Sequence, residues 1–438
     1  MNIVLAERNV PRYTSYPTAP HFTASVGPDT YSDWLSALPS DARVSLYIHV
    51  PFCVELCHYC GCNTRAVRKR EPIDAYAERL LEEIALLSRV SARKLTHLHW
   101  GGGTPSILGP AWLETIASIL ASRFDLSELK EHAIELDPRR IDRSLVRALK
   151  TIGVNRASLG VQDVSPHVQQ AIGRIQPFEM VERAAGWLRD AGIVNLNVDL
   201  MYGLPAQTVR DVARSAELAA SLGAQRMALF GYAHVPWFKP HQRLIDETAL
   251  AGAAARLEQA QVAAETLTSF GYQTIGLDHF ALPDDELAVA AREGRLHRNF
   301  QGYTTDEADA LIGLGASAIG KLPQGFVQNA PDLGGYSRAM QAGRFATVKG
   351  LALSDDDRRR AAIIERLMCD LKVDLDSTGG NGFPEEIASL HELADDGLLT
   401  IDGRRIAITE RGRPYVRIAA AVFDTYLAAS RGRHSVAV

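Results

Sequence analysis

Between residues 44 and 232 short β-rich runs alternate with amphipathic helical stretches, and this alternation limits the fold more than any other feature of the chain. The runs are VSLYIHV (44–50), KLTHLHW (94–100), HAIELDP (132–138), RASLGVQ (156–162), VNLNVDLMYG (194–203) and RMALFGY (226–232). Between the first two, Ile73, Tyr76, Leu80, Ile84 and Leu87 fall on one helical face. Segments 110–124, 142–151, 178–191 and 208–222 carry similar patterns. About six strand–helix units of this kind predict an α/β fold of parallel strands, either an open sheet or a full or partial barrel. The unusual polar groups fall at the strands' C-terminal ends. Cysteines follow the first strand and GGGT follows the second. Glu135 lies near the end of the third, Gln162 ends the fourth, and Asp199 lies in the fifth. In parallel α/β folds that rim is where ligands bind, so the pattern points to an enzyme.

The flanks read differently. In PRYTSYPTAPHF, Pro11, Pro17 and Pro20 exclude a regular helix, and Tyr13, Tyr16 and Phe22 favour an ordered arm laid over a body. After about residue 240 the repetition fades into an Ala-rich helix expected over 246–269. From about Asp355 the pattern is helical, with a hairpin expected around Asp402-Gly403 and a winged-helix-like outline. Cys369 in AAIIERLMCDLKV reads as core packing. The expected division is an arm over 1–40 covering the active site, a barrel over 41–270, a barrel-closing, substrate-side segment over 271–350, and a mainly α-helical C-terminal domain over 351–438. The net charge of -5 gives no reason to expect nucleic acid or an anionic membrane as partner. The sequence suggests no signal peptide and no spanning helix.

Four of the five cysteines, Cys53, Cys57, Cys60 and Cys62, lie in HVPFCVELCHYCGCNT. Two chemistries compete. A zinc ion would take all four thiolates, although zinc sites usually gather separate C-x2-C pairs. A [4Fe–4S] cluster would take Cys53, Cys57 and Cys60, leaving one iron open to a small molecule.

The triad, with Tyr59 before its third cysteine, resembles the radical S-adenosylmethionine (SAM) superfamily. The segments PRYTSYPTA, YIHVPFC, CGCN, HWGGGTP, ELDP, GVQD, NVDLMYGLP, YAHVP, RNFQGYTT and GLGASAI, in this order, are similar to one of its families, the oxygen-independent coproporphyrinogen III oxidases of haem biosynthesis. The resemblance runs from about Asn9 to Phe423. It implies a partial (β/α)6 radical-SAM barrel with an N-terminal arm and a mainly helical C-terminal domain. It also implies a [4Fe–4S] cluster on Cys53, Cys57 and Cys60, and two SAM molecules per active site. SAM cleavage to methionine and a 5′-deoxyadenosyl radical would drive decarboxylation of two propionates of coproporphyrinogen III to vinyl groups, giving protoporphyrinogen IX.

By the same resemblance, SAM contacts fall on Tyr47, Tyr59, Cys60, Gly102, Gly103, Thr104, Glu135, Gln162, Arg174, Asp199, Ala233 and Ile319. Tyr59 stands where the family often has Phe. Independent physical readings accompany several of these. Glycines 102 and 103 would let a ligand lie against the backbone. Tyr47 and His49 share one strand face. Glu135, Gln162 and Asp199 are polar within apolar strands and need partners. Arg174, in a helix-like stretch, reads alone as a surface arginine, and only the resemblance makes it a bidentate carboxylate contact. A macrocycle bearing four propionates calls for arginines and aromatics, with Arg12, Tyr13, Tyr16, Arg298, Asn299 and Gln301 as candidates. Cys62 is a candidate catalytic residue outside the triad. Implied partners are a flavodoxin or ferredoxin as electron donor and an unidentified final acceptor, for a cytoplasmic monomer. Rival readings are a related radical SAM haem chaperone or other radical SAM enzyme, and a non-catalytic zinc or haem-binding protein.

Overall fold

The computed structural model describes residues 3–90, 92–378 and 382–427. Met1 and Asn2 of the expected arm, and 379–381 and 428–438 of the expected C-terminal domain, lie outside the described residues. The six expected strands form: β1 (Arg43–Val50), β2 (Lys94–Gly102), β3 (Glu131–Leu136), β4 (Arg156–Gln162), β5 (Asn195–Tyr202) and β6 (Arg226–Gly231). They are sheet neighbours in sequence order, all parallel. Crossover helices Glu71–Leu86, Pro110–Arg123, Arg143–Thr151, Phe178–Asp190 and Val209–Ser221 connect them. The helices form because one stripe of each is apolar and meets the sheet. Ile73, Tyr76, Leu80 and Ile84 are all buried, as their spacing requires.

The sheet is larger than the alternation predicts. Strand Ala310–Leu314 joins β1 in parallel, and Ile319–Leu322, Gly325–Asn329 and Thr347–Ala352 extend that edge antiparallel. His279–Ala281 and Gln273–Ile275 extend the β6 edge. These additions were hard to read because the strands are short and lack intervening helices. The expected helix over 246–269 is shorter. Asp246 accepts from the Thr248 amide in a brief turn, Gly252 caps the next segment, and the helix runs Ala253–Ser269.

At the N-terminal ends of the strands, ion pairs close the barrel floor. Arg156 Nε lies 2.7 Å from Glu131, and Arg226 Nε lies 2.6 Å from Asp285. The opposite rim is left for chemistry. The C-terminal region contains the expected hairpin, Leu399–Asp402 against Arg405–Ile408, with Lys372–Asp374 as a third strand. Cys369 is buried among Ile275, Leu287 and Tyr303, consistent with packing.

The arm is ordered and carries a helix, Pro28–Ser36, that its proline content obscured; proline is tolerated in a helix's first turn. Leu5, Val10, Tyr13 and Tyr16 join the apolar core of the C-terminal region. Phe22 stacks on Phe326 at 5.5 Å. Among the described residues, no helix is long and apolar enough to cross a membrane.

Candidate active site

The cysteine loop leaves β1 and crosses the rim. Cys57 is buried, Cys53 and Cys60 are half-buried, and all four cysteines of the loop are free thiols. Each triad sulfur has donors or positive charge nearby. Thr104 Oγ1 donates to Cys53 Sγ at 3.4 Å, and Thr64 Oγ1 lies at the same distance. Arg174 Nη1 and Arg139 Nη2 reach Cys57 Sγ at 3.5 and 3.8 Å. The Cys62 thiol beside Cys60, with Lys239 and Arg174, brings the Cys60 thiol down to about 7. At Cys60 these surroundings favour the thiolate, the form that binds iron, whereas burial pushes the Cys53 thiol up. Among the described residues no three His, Cys, Asp or Glu side chains are set to hold one metal ion. A cluster takes its thiolates one per iron, and three free thiols in one loop are a donor set that fits it.

A segment that sequence reasoning missed holds the loop from outside. His241 Nε2 lies 2.7 Å from the Cys60 carbonyl oxygen, Gln242 Nε2 donates to Tyr59 O at 2.8 Å, and Lys239 Nζ donates to Cys62 O at 2.8 Å. The targets are main-chain carbonyls, so no side-chain pattern in the loop announced them. Gln242 Nε2 also reaches Ala233 O at 3.3 Å, which places Ala233 next to Tyr59.

The GGG run is closely packed by the protein's own groups. A Cβ at Gly101 would lie 2.8 Å from Glu135 Oε1 and 2.9 Å from Tyr47. At Gly102, where φ is +112°, it would meet the His49 ring at 2.8 Å, and at Gly103 the Phe52 carbonyl oxygen at 2.5 Å. On the side where a Cβ would stand, each of these glycines therefore meets the protein's own groups. Gly103 N bonds Val50 O, and Thr104 N bonds Phe52 O, both at 2.8 Å, which staples β2 to the cysteine loop.

Glu135 accepts from the Gly102 amide at 3.1 Å, and its other oxygen lies 3.1 Å from His99 Nε2. Tyr47 OH lies 3.0 Å from His49 Nδ1, whose Nε2 lies 2.9 Å from Asn63 O. Burial lowers the His49 imidazole and raises the Tyr47 phenol. Gly313 pairs with Tyr47 on one side, and a Cβ there would lie 2.8 Å from the Ile319 backbone on the other, so one strand lies between Ile319 and Tyr47. Asp199 accepts from Ser158 Oγ at 3.0 Å and Asn197 Nδ2 at 2.8 Å. Burial, reinforced by Glu135, lifts its carboxyl to about 6. A cavity of 180 Å³ brings Glu135, Asp199, Asn299 and Gln301 together inside the barrel.

Arg174 lies beyond the short helix Pro166–Ala171 rather than within one. The carboxylate it faces is Asp137, at 3.4 Å, and the same nitrogen donates to Gly160 O at 2.6 Å. Gln162 adopts φ +67°, and its amide lies beside Arg174 over Gly160. Asp137 and Arg139 were not singled out from sequence; Asp137 stands in the ELDP motif itself.

Two substrate candidates lie elsewhere. Tyr13 OH donates to Asp424 Oδ2 at 3.1 Å, and Tyr16 OH lies 3.1 Å from Thr425 Oγ1. Both rings are buried, because an aromatic arm gains more by packing on the C-terminal region than by facing water. Arg12 and Arg298 line a second cavity, of 1130 Å³, that Ala233 borders.

Residues 47–219 match the radical SAM superfamily, and residues 353–415 match the HemN C-terminal domain. An oxygen-independent coproporphyrinogen III oxidase of Bradyrhizobium diazoefficiens is 48% identical, covering 99% of this chain and 98% of its own length. One of Paracoccus denitrificans is 44% identical, with 99% and 98% covered. The solved structure of the Escherichia coli coproporphyrinogen III oxidase, described as a radical SAM enzyme, superposes with a TM-score of 0.90 at 37% identity, covering 96% of this chain and 100% of that one.

Proposed function

The chain belongs to the oxygen-independent coproporphyrinogen III oxidases of the radical SAM superfamily, and on that premise we propose how its rim carries out the family's reaction. The reaction is the oxygen-independent oxidative decarboxylation of coproporphyrinogen III to protoporphyrinogen IX by radical SAM chemistry. The observation that carries the reading is the convergence of a cysteine loop, the β2 glycines, Glu135 and Asp199 on one rim of a barrel related along nearly its whole length to that family.

Cys53, Cys57 and Cys60 are the residues to hold the [4Fe–4S] cluster. With SAM bound, the cluster would supply the radical chemistry by which a propionate loses a β-hydrogen, CO2 and one electron to become a vinyl group. The protein's residues bind, orient and shield. Arg139 and Arg174 offset the negative charge of the sulfurs at Cys57. Thr64 and Thr104 support Cys53. Tyr47, Tyr59, Cys60, Gly102, Gly103, Thr104, Glu135, Gln162, Arg174, Asp199, Ala233 and Ile319 are the residues to contact the two SAM molecules. Glu135 and Asp199 offer acceptor oxygens for amine or ribose hydroxyl donors. Asn299 and Gln301, on the barrel interior with them, remain substrate-side candidates.

The arm covers the site in this reading, supported by the Arg12 contact to Gly231 O at the rim. Water and oxygen must be kept from a radical, which a closed cover achieves. The chain is proposed to act as a cytoplasmic monomer. A flavodoxin or ferredoxin would supply electrons, and a separate acceptor would take the last one. The division into 1–40, 41–270, 271–350 and 351–438 is kept as a proposal.

The test is an anaerobic assay of reconstituted protein with dithionite, SAM and coproporphyrinogen III. Protoporphyrinogen IX is the expected product. Formation of 5′-deoxyadenosine without it would overturn the substrate assignment.

A further inference from the structure

Gln242 is fully buried in the single-turn helix Pro240–Leu244, and both polar atoms of its side chain are engaged. Its Nε2 donates to Tyr59 O at 2.8 Å and reaches Ala233 O at 3.3 Å, while its Oε1 accepts from the Val235 amide at 2.6 Å. A primary amide offers two N–H donors and one carbonyl oxygen. Two of its partners here are carbonyls, which only accept, and the third is an N–H, which only donates. One orientation of the amide therefore satisfies all three. Packing alone does not call for this residue. A buried amide is costly unless its hydrogen bonds are made, and a Met would fill similar space without that demand. What the amide adds is a connection between the cysteine loop, the segment leaving β6, and its own turn.

The same junction is held by packing. Tyr59 lies against a buried apolar group made of Val168, Ile172, Leu204, Tyr232 and Ile245. Tyr232 precedes Ala233, and Ile245 closes the turn that carries Gln242. Tyr232 N donates to Tyr202 O at 2.9 Å, which ties the Ala233 side to the barrel. The cluster-binding part of the loop has anchors of its own. Val67 N donates to Cys53 O at 2.8 Å, His58 N donates to Ile172 O at 2.9 Å, and Arg174 reaches Cys57. His241 binds Cys60 O separately. None of these bonds passes through the Gln242 side chain. Its amide therefore governs one relationship, the distance of Tyr59 from Ala233, rather than the folding of the whole loop.

We propose that Gln242 is a positioning residue, which registers the cysteine loop against the segment leaving β6 and so sets the opening in which Tyr59 and Ala233 contact one SAM molecule. This rests on the SAM contacts proposed above. The role is exercised through the main chain of those two residues, because both carbonyls are bound by one nitrogen. Loss of the amide releases both at once and leaves the three cysteines with their own supports.

The test is equilibrium binding of SAM to reconstituted protein without reductant, so that SAM is bound and not cleaved, together with iron and sulfide analysis. Gln242→Met nearly keeps the volume and removes all three hydrogen bonds. It should retain its iron and the cluster's visible absorption, and weaken SAM about tenfold at one site while the other is unchanged. KM for SAM should rise by a similar factor, with KM for coproporphyrinogen III unchanged. Gln242→Glu keeps an acceptor for the Val235 amide and sets its second oxygen against two carbonyls. A carboxyl so placed regains an O–H donor on protonation. Its SAM affinity relative to wild type should therefore improve as pH falls from about 8.5 to about 6.5, a response that a merely space-filling side chain would not give. Gln242→Glu carries the test if Gln242→Met fails to fold. Unchanged SAM binding in both variants overturns the role, as does a level Gln242→Glu ratio across this pH range, or iron lost in step with SAM. If the variants behave as expected but the wild type forms no protoporphyrinogen IX, the proposed reaction falls and the positioning role stands. A wild type that binds one SAM per chain ends the two-molecule reading, and the variants then decide the role on that single site.

Discussion

Nη1 of Arg174 lies 3.5 Å from Sγ of Cys57, although 117 residues separate them in the chain. The same guanidinium faces Asp137 and the Gly160 carbonyl. One buried cation thus joins a β4 backbone group, a β3-end carboxylate and a cysteine of the triad proposed to bind iron. Replacing it by Gln leaves Asp137 with Arg139 alone and removes positive charge from Cys57. The expected result is a loss of about 1–3 kcal/mol of stability and at least a twofold drop in iron per chain after reconstitution. Thermal melts and iron and sulfide analysis check both.

Cys60 and Cys62 have neighbouring thiols and different expected roles. Cys60→Ser should abolish iron binding, and Cys62→Ser should retain it. Iron content and the cluster's visible absorption decide. Loss of the cluster in both variants would restore a four-thiolate site.

Gly101 and Gly103 predict separable failures. A Cβ at Gly103 meets the Phe52 main chain at 2.5 Å, which cannot yield without moving the cysteine loop. Gly103→Ala should therefore lose most of its cluster iron. A Cβ at Gly101 displaces the Glu135 carboxylate and the Tyr47 ring. Gly101→Ala should keep its iron but bind SAM at least about tenfold more weakly, measured by equilibrium binding to the reconstituted protein.

Asp199 has its carboxyl raised to about 6 from an ordinary 3.8, with burial the main cause. Its ionised form, the better acceptor, disappears as pH falls through that value. KM for SAM should therefore rise on going from pH 7.5 to 5.5. Asp199→Asn should flatten that rise and give a weaker KM throughout. A wild-type KM that is level across this range would count against a cosubstrate role.

Glu83 offers a stability test away from the site. It is buried and accepts from the Gly315 amide and Asn329 Nδ2, both at 2.6 Å, and from Tyr336 OH at 2.8 Å. Burial lifts its carboxyl from 4.5 to about 7. A value raised in the folded state favours folding fully below the unfolded value, and that contribution is lost as pH rises from about 4.5 through about 7. Glu83→Gln should make the pH dependence in that window shallower. It also turns an amide N–H toward a donor, lowering stability by about 1–3 kcal/mol at pH 7.5. Denaturant melts across the window measure both effects.

The sequence by itself determined the parallel strands, their order, and the placing of cysteines, glycines and acids at their C-terminal ends. Those follow from local periodicity and from βα connections that set each new strand beside the last. It also marked the cysteine loop, whose ligand spacing is contained in one short segment. Only the tertiary structure decided which groups surround that loop. Arg174 reaches Cys57, and Lys239, His241 and Gln242 bind the main-chain carbonyls of the loop. A carbonyl is present at every residue, so its partner leaves no mark in the sequence. Tyr13 and Tyr16 show the same limit from the other side, since packing against the C-terminal region took rings whose type suited a ligand. The gathering of Arg12, Arg298 and Arg417 around one cavity likewise depended on packing. Each reads alone as a surface charge, and they form a set only when three distant segments meet.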